Sequence, residues 1–275
     1  MSTAASADVQ PGLEVVIAQW LGAHALVVFA FGLGLVLMGA VLGWRIVGRR
    51  LQHNASSTQP PPMQAALLLA AGFVVLLGAA SGFAEIAEEI GQGGEVSRFD
   101  EAFSAALAAS VAPATRDVFA ALTRLGDTST IAGLGVLVAA VLVIRGRRRL
   151  AFGWAIALAG NGLLNETLKH VFERVRPVHA SGVAAAEGWS FPSGHSSGAV
   201  VAYGLLAYVL IRALPSRWHL AVVLTAVALA FTIGSSRVFL RVHFPSDVVA
   251  GFLSGSAWLA VCIVGFELAR RQRSA

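Results

Sequence analysis

Seven stretches of mostly apolar residues recur along the chain, each closed by polar or charged groups: about Ala25–Trp44, Met63–Ala84, Thr128–Ile144, Leu150–Leu168, Ser196–Ile211, Leu220–Ile233 and Val248–Phe266. A helix needs about 20 apolar residues to cross a bilayer. The fifth and sixth stretches reach that length once extended into flanking uncharged residues. The pattern predicts an all-α, polytopic transmembrane bundle of about seven spans. Between the second and third spans, over about Glu85–Asp127, the pattern changes. Gln92-Gly93-Gly94 predicts a turn. Phe103, Leu107 and Val111, then Val118, Leu122 and Leu125, recur at helical spacing on either side of Pro113. That spacing predicts two short amphipathic helices at the membrane interface. Leu51–Pro62, with Ser-Ser-Thr and Pro-Pro-Pro, predicts a flexible connector, and no internal repeat is visible.

Composition agrees with a membrane bundle. Of 275 residues, 56% are hydrophobic and 13% charged, where a soluble domain carries roughly 25% charged residues. The single cysteine, Cys262, cannot form an intrachain disulfide. No Lys or Arg precedes the first apolar run, so the basic region of a cleavable signal peptide is missing. The formal net charge is +5, and its distribution predicts an orientation. With the N-terminus outside, the inner segments hold twelve basic residues (Arg45, Arg49, Arg50, Arg145, Arg147, Arg148, Arg149, Arg212, Arg217, Arg270, Arg271 and Arg273) against one acid, Glu267. The outer segments hold the other eight basic residues and fourteen of the fifteen acids. Seven spans with the N-terminus out and the C-terminus in satisfy the positive-inside rule at every loop.

Three polar clusters border the spans, where charge is costly and usually functional. They are Lys169-x6-Arg176-Pro177 after the fourth span, Pro192-Ser193-Gly194-His195 opening the fifth, and Ser236-Arg237-x5-His243-x3-Asp247 between the sixth and seventh. In the expected topology all three lie on the outer side. Lys169 is the chain's one lysine among nineteen arginines. A lysine and two arginines converging would hold a multiply charged anion. Ser193 and Gly194 sit where a helix N-terminus presents free N–H groups to phosphate. His243 precedes Asp247 by four residues, and Pro245 suits a first helical turn. An Asp there could bond one ring nitrogen and leave the other to attack phosphorus. His195 could protonate the departing oxygen. Each cluster alone reads as an interfacial anchor, a cap or a simple i,i+4 pair; the three together do not.

The clusters K-x6-RP, PSGH and SR-x5-H-x3-D resemble, residue for residue, the signature of the type 2 phosphatidic acid phosphatase (PAP2) superfamily. That superfamily includes membrane lipid phosphatases and, more remotely, bacterial acid phosphatases and vanadium haloperoxidases. The gaps are 14 residues between Pro177 and Pro192 and 40 between His195 and Ser236, and the likeness covers roughly Leu150–Phe266. The resemblance implies His243 as nucleophile, Asp247 as its partner and His195 as general acid. It implies Lys169, Arg176, Ser193, Gly194 and Arg237 as phosphate-binding groups, with no cofactor or metal. The residues themselves offer no carboxylate cluster for magnesium and no His/Cys spacing for zinc. Many family members have six spans; the extra one here is Ala25–Trp44. The expected organisation is therefore residues 1–62, an extra span and inner loop, and 63–275, a catalytic membrane domain.

Other polar residues have plainer expectations. Glu166 would brace Lys169, one turn on. Asp100 would cap an interfacial helix. His170, Glu173, Arg174, His179 and Arg241 would be surface or rim groups, with Trp44, Trp189 and Trp218 in the aromatic belt. The expected activity is hydrolysis of a lipid phosphomonoester or diphosphate, such as undecaprenyl diphosphate, phosphatidylglycerol phosphate, phosphatidate or a lipid A phosphate. The expected partners are that substrate and membrane lipids, with no nucleic acid, in a multi-pass inner cell membrane protein whose active site lies outside. A phosphotransferase using the same pocket fits the same residues. A channel or transporter fits less well, because the spans are nearly free of charge and the polar groups crowd one end.

Overall fold

A chain segment surrounded by hydrocarbon must satisfy its own backbone N–H and C=O groups, so each apolar stretch folds as a helix. The computed structural model describes residues 11–55, 61–177 and 188–272. Every regular element among them is helical: α1 (Leu13–Ala23), α2 (Ala25–Ala55), α3 (Pro61–Gly91), α4 (Glu95–Ser110), α5 (Pro113–Thr123), α6 (Thr128–Ile144), α7 (Arg148–Phe172), α8 (Gly194–Ile211), α9 (His219–Phe239) and α10 (Pro245–Arg271). α2, α3 and α6 to α10 fall on the seven expected stretches. The sequence pattern does not anticipate α1, whose 11 residues are too few for a span. The expected connector Leu51–Pro62 is shorter than its composition suggests, because both its ends are helical; residues 56–60 lie outside the described residues.

Five helices are long and apolar enough to cross a membrane unaided, over Ala25–Ile46, Leu69–Gly91, Gly194–Ile211, Ser216–Phe239 and Pro245–Arg271. α6 has 17 residues, which at a rise of about 1.5 Å per residue falls short of a hydrocarbon core of about 30 Å. α7 has the length, but Asn161, Asn165, Glu166 and Lys169 interrupt its apolar sequence. Up to Leu163 its outward face is nonetheless apolar, as is that of α6. Val136 is 72% exposed, Ile144 82%, Phe152 70% and Leu163 72%. Side chains of that kind on two packed helices mark a surface solvated by lipid. The protein is a multi-pass membrane protein.

α8 is the hub, packed against α6, α7, α9 and α10. Small residues let the helices approach closely, as membrane packing favours. A side chain at Gly251 of α10 would stand 2.6 Å from the Ser193 carbonyl, and one at Gly255 would stand 2.9 Å from the Ser197 backbone. At one end of the bundle Leu142, Ala151, Trp154, Val201 and Leu205 form a buried cluster, with Trp154 Nε1 donating to the Gly135 carbonyl at 3.0 Å. At the other end Ala18, Phe103, Leu107, Phe119, Phe239 and Val248 join α1, α4, α5, α9 and α10. α4 and α5 meet at a 117° bend, with Pro113 opening α5 where its missing N–H costs nothing. The two short helices exist as the spacing predicts, and Gly93 turns the chain before them with φ +64.

Candidate active site

The C-terminal ends of α7 and α9 and the N-terminal ends of α8 and α10 carry the three clusters to one end of the bundle. Phe244 is the N-cap of α10 and Pro245 its first residue. This puts Asp247 one turn inside, where its Oδ2 accepts the Phe244 N–H at 2.9 Å. The same oxygen lies 3.3 Å from His243 Nδ1. His243 Nε2 lies 3.1 Å from Arg176 Nη1. An ionised carboxylate only accepts and a guanidinium only donates, so the two contacts fix the tautomer. Nδ1 carries the proton and Nε2 presents its lone pair. His243 is 3% exposed and Asp247 fully buried. Burial, reinforced by the charges of Arg176 and Arg237 and opposed by Asp247, pushes the His243 pKa down to about 4. The imidazole is neutral at physiological pH.

Cations surround this nitrogen. Arg176 is held in place by the carbonyls of Gly188, Trp189 and Val242, at 3.0, 3.1 and 2.7 Å. Arg237, 5% exposed, donates from Nη1 to Thr123 Oγ1 at 3.0 Å. Its buried Nε has no hydrogen-bond partner among the described residues, a debt that an anionic oxygen would settle. Lys169 is half-buried, lies within the field of both arginines, and makes no ion pair among the described residues. Three like charges held together this way are at odds with one another unless an anion joins them.

α8 begins at the same place. Ser193, fully buried, caps it: Ser193 Oγ accepts from the Ser196 N–H at 3.4 Å and the Ser196 hydroxyl at 3.0 Å. The Ser193 N–H donates to the Asp247 carbonyl at 3.0 Å, joining the start of α8 to the start of α10. Gly194 and His195 occupy the first turn, whose N–H groups have no acceptor within the helix. A side chain at Gly194 would press on Asn165 Oδ1 at 2.9 Å. His195 shares the electrostatic neighbours Arg237 and Lys169, and its Nε2 lies 3.0 Å from Asp127 Oδ1. Among the described residues no group of three or more His, Cys, Asp or Glu could hold a metal.

The structure also gathers residues whose part the sequence reading missed. Asp100 does not cap α4: it lies a turn inside the helix, fully buried, paired with Arg174 at 2.8 Å. Its signal was available, since it shares a helical face with Phe103 and Leu107, and a carboxylate on an apolar face needs a partner. Arg174 is not a rim group: its side chain is 10% exposed, between Asp100 and Asp247. Thr123 and Asp127 come from the end of α5 and the N-cap of α6, more than 60 residues from the groups they touch. Glu166 pairs with His170 at 3.3 Å instead of with Lys169. The buried bracing on α7 comes from Asn165, whose amide faces the Pro192 carbonyl and Ser197 Oγ. His170 and Glu173 are exposed as expected. Glu173 takes φ +43 and ends α7, turning the chain back toward the site. His179 lies outside the described residues.

Known proteins resemble this chain in sequence and in fold. The PAP2 superfamily model matches residues 148–271. Phosphatidylglycerophosphatase B of Bacillus subtilis is 36% identical over 170 residues, 61% of this chain and 83% of that protein. Lipid A 1-phosphatase of Rhizobium johnstonii is 30% identical over 185 residues, 58% of this chain and 71% of that protein. The crystal structure of a transmembrane PAP2-type phosphatidylglycerolphosphate phosphatase from Bacillus subtilis superposes with a TM-score of 0.66 at 32% identity, covering 70% of this chain and 96% of that one. Identity at this level over most of a relative's length, together with the matching membrane fold, assigns the chain: it belongs to the PAP2 superfamily.

Proposed function

We propose that the protein is a membrane lipid phosphatase that works through a phosphohistidine on His243. The observation carrying this reading is the tautomer of His243, with Nδ1–H directed to Asp247 and the Nε2 lone pair directed into the cluster of cations. The phosphate of a lipid monoester or diphosphate sits among Lys169, Arg176, Arg237 and the N-terminal turn of α8 at Ser193 and Gly194. Arg176 turns from Nε2 to a phosphoryl oxygen as phosphorus approaches. Nε2 then forms a bond to phosphorus while the bond to the leaving oxygen breaks, and Asp247 stabilises the charge that develops on the ring. His195 supplies the proton to the leaving oxygen. With Nε2–H held on Asp127, the ring enters the step as the imidazolium and gives up its Nδ1 proton, which leaves it neutral for the second half. In the second half water loses a proton to His195 and attacks phosphorus while the bond from phosphorus to His243 Nε2 breaks, which restores the imidazole and releases inorganic phosphate.

The proposed substrate class rests on the place of this cluster, at the end of a membrane-spanning bundle. A headgroup reaches it from the membrane interface while the acyl or prenyl tail stays among the apolar helix faces, as for phosphatidylglycerol phosphate, lipid A phosphate, undecaprenyl diphosphate or phosphatidate. The eight basic and fourteen acidic residues on the site's side of the chain, against twelve and one on the other, support an active site and N-terminus outside and a C-terminus inside. The test is phosphate release from a panel of these lipids by purified protein in detergent, with and without EDTA. His243→Ala should abolish turnover and leave a folded protein. Turnover by that variant would remove the nucleophile assignment, and label passing to an acceptor lipid instead of water would make the protein a phosphotransferase.

A further inference from the structure

We infer that Arg174 and Asp100 are a positioning pair for the nucleophile, fixing the second oxygen of Asp247 from behind, and that helix α4 is thereby part of the catalytic framework. This rests on the reading of His243 and Asp247 given above.

The two oxygens of Asp247 have different partners. Oδ2 accepts from His243 Nδ1 and from the Phe244 N–H. Oδ1 accepts from Arg174 Nη1 at 2.6 Å. The same Nη1 reaches Ser246 Oγ at 2.8 Å, and Nη2 reaches Asp100 Oδ2 at 2.8 Å. Asp100 closes the loop: its Oδ1 accepts the Ser246 N–H at 3.2 Å, and the Ser246 hydroxyl donates to its Oδ2. The guanidinium lies over the Phe244 ring, 4.3 Å from its centroid. Every member of the N-terminal turn of α10 from Phe244 to Asp247, apart from Pro245, is therefore tied to Arg174, to Asp100 or to both.

Two observations favour positioning over plain stabilisation. First, a buried set of two carboxylates and one guanidinium is costly to desolvate, and apolar packing would serve stability as well. What an apolar core cannot do is hold a carboxylate rotamer. Second, the planar fork is used for its shape: one arm takes Asp247 and the other Asp100, which the point charge of a lysine could not do together. Arg176 takes the Nε2 side of the imidazole, and Arg174 takes the carboxylate behind Nδ1. α4 can hold this position because α1 fastens it, through Arg98–Glu14 at 2.8 Å and the Ser110 hydroxyl on the Gly22 carbonyl at 3.0 Å.

The test uses the full-length protein in detergent, phosphatidylglycerol phosphate as substrate and inorganic phosphate as competitive inhibitor, with His243→Asn as the control. Arg174→Met should lower kcat by about 100-fold, as expected when a catalytic group loses its alignment. KM and the phosphate inhibition constant should stay within about twofold, because Arg174 does not face the anion. Arg174→Lys should recover only part of the loss. Asp100→Asn, nearly isosteric and able to keep an acceptor toward the Ser246 N–H while turning a donor toward Arg174, should cost about tenfold in kcat and serves even if Arg174→Met is poorly folded. The double variant Asp100→Asn/Arg174→Met should be no worse than Arg174→Met, since the pair acts as one unit. Wild-type kcat in Asp100→Asn, strictly additive losses, or phosphate inhibition weakening in step with kcat would each overturn the proposal. Turnover by His243→Asn would instead overturn the nucleophile assignment, so the two failures are distinct.

Discussion

Alanine at Gly251 places a methyl group at the point where α10 crosses the first turn of α8. That Cβ would stand 2.6 Å from the Ser193 carbonyl oxygen and 2.7 Å from Ser196 Cβ. An ordinary contact begins at 3.4 Å, so the helices must part by about 0.8 Å. The Ser193 oxygen is backbone and cannot swing aside, and the Ser193 N–H is bonded to the Asp247 carbonyl at 3.0 Å. The displacement therefore falls on the joint between the PSGH turn and the start of α10, moving Ser193 and His195 relative to His243. Overpacking of this kind costs about 1–3 kcal/mol, and misplacing a catalytic group by about 1 Å can cost on the order of 100-fold in rate. Gly251→Ala should lower the unfolding temperature in detergent and reduce kcat on a lipid phosphate by about 10- to 100-fold. Gly265, on the same helix, has open space where a methyl group would stand, with nothing within 4 Å. Gly265→Ala should be neutral, or slightly stabilising through helix propensity. Wild-type kcat in Gly251→Ala, or equal damage from Gly265→Ala, would refute the close-packed joint.

The pH dependence follows from burial of His243. Its pKa lies near 4 in the folded protein against an ordinary 6.5, so Nε2, the proposed attacking nitrogen, stays unprotonated until the pH falls toward 4. Between those values the unfolded chain binds the extra proton, so this group's contribution to stability is complete above about pH 6.5 and is lost as the pH falls through about 4. With p-nitrophenyl phosphate, whose leaving group needs little protonation, the acid limb of kcat/KM should lie well below 6.5. An acid limb at 6.5 or above would contradict the assignment. Asp127→Asn removes the charge beside His195 Nε2 and should lower kcat about tenfold on a lipid monoester, with a smaller loss on p-nitrophenyl phosphate. Equal losses on both would remove Asp127 from the proton-transfer step. Thr123→Val leaves Arg237 Nη1 buried without its acceptor, which costs about 1–3 kcal/mol. It should weaken inhibition by inorganic phosphate several-fold, and unchanged inhibition would show that Thr123 does not orient Arg237.

The proposed catalytic residues were legible because each lies in a short, local pattern. His243 and Asp247 are one helical turn apart, and Ser193, Gly194 and His195 are consecutive at a helix start, so spacing alone carried their geometry. The apolar stretches were legible for a similar reason: hydrocarbon leaves a chain segment only the helix. The supporting residues were hidden by distance and ambiguity. Asp100, Thr123 and Asp127 stand on or beside short helices where an Asp or Thr reads as a cap, yet the Asp127 side chain makes no cap bond and reaches His195 instead. Asp100 gave itself away only by sharing a face with Phe103 and Leu107. Arg174 sits past the left-handed turn at Glu173, in a loop without periodicity, so nothing in its neighbourhood told that it turns inward while His170 stays at the surface. α1 was too short to count as a span, and its packing on α4 is a tertiary fact that hydropathy does not carry.

Radiolabelled phosphatidylglycerol phosphate, mixed with the enzyme and quenched in base within a turnover, would report the covalent intermediate itself. The label should appear on the protein as an acid-labile, base-stable phosphoramidate on the peptide containing His243, and should be absent from His243→Asn. Label on a different residue, or turnover with no labelled protein at any quench time while His195→Asn also fails to trap any, would contradict a phosphohistidine mechanism.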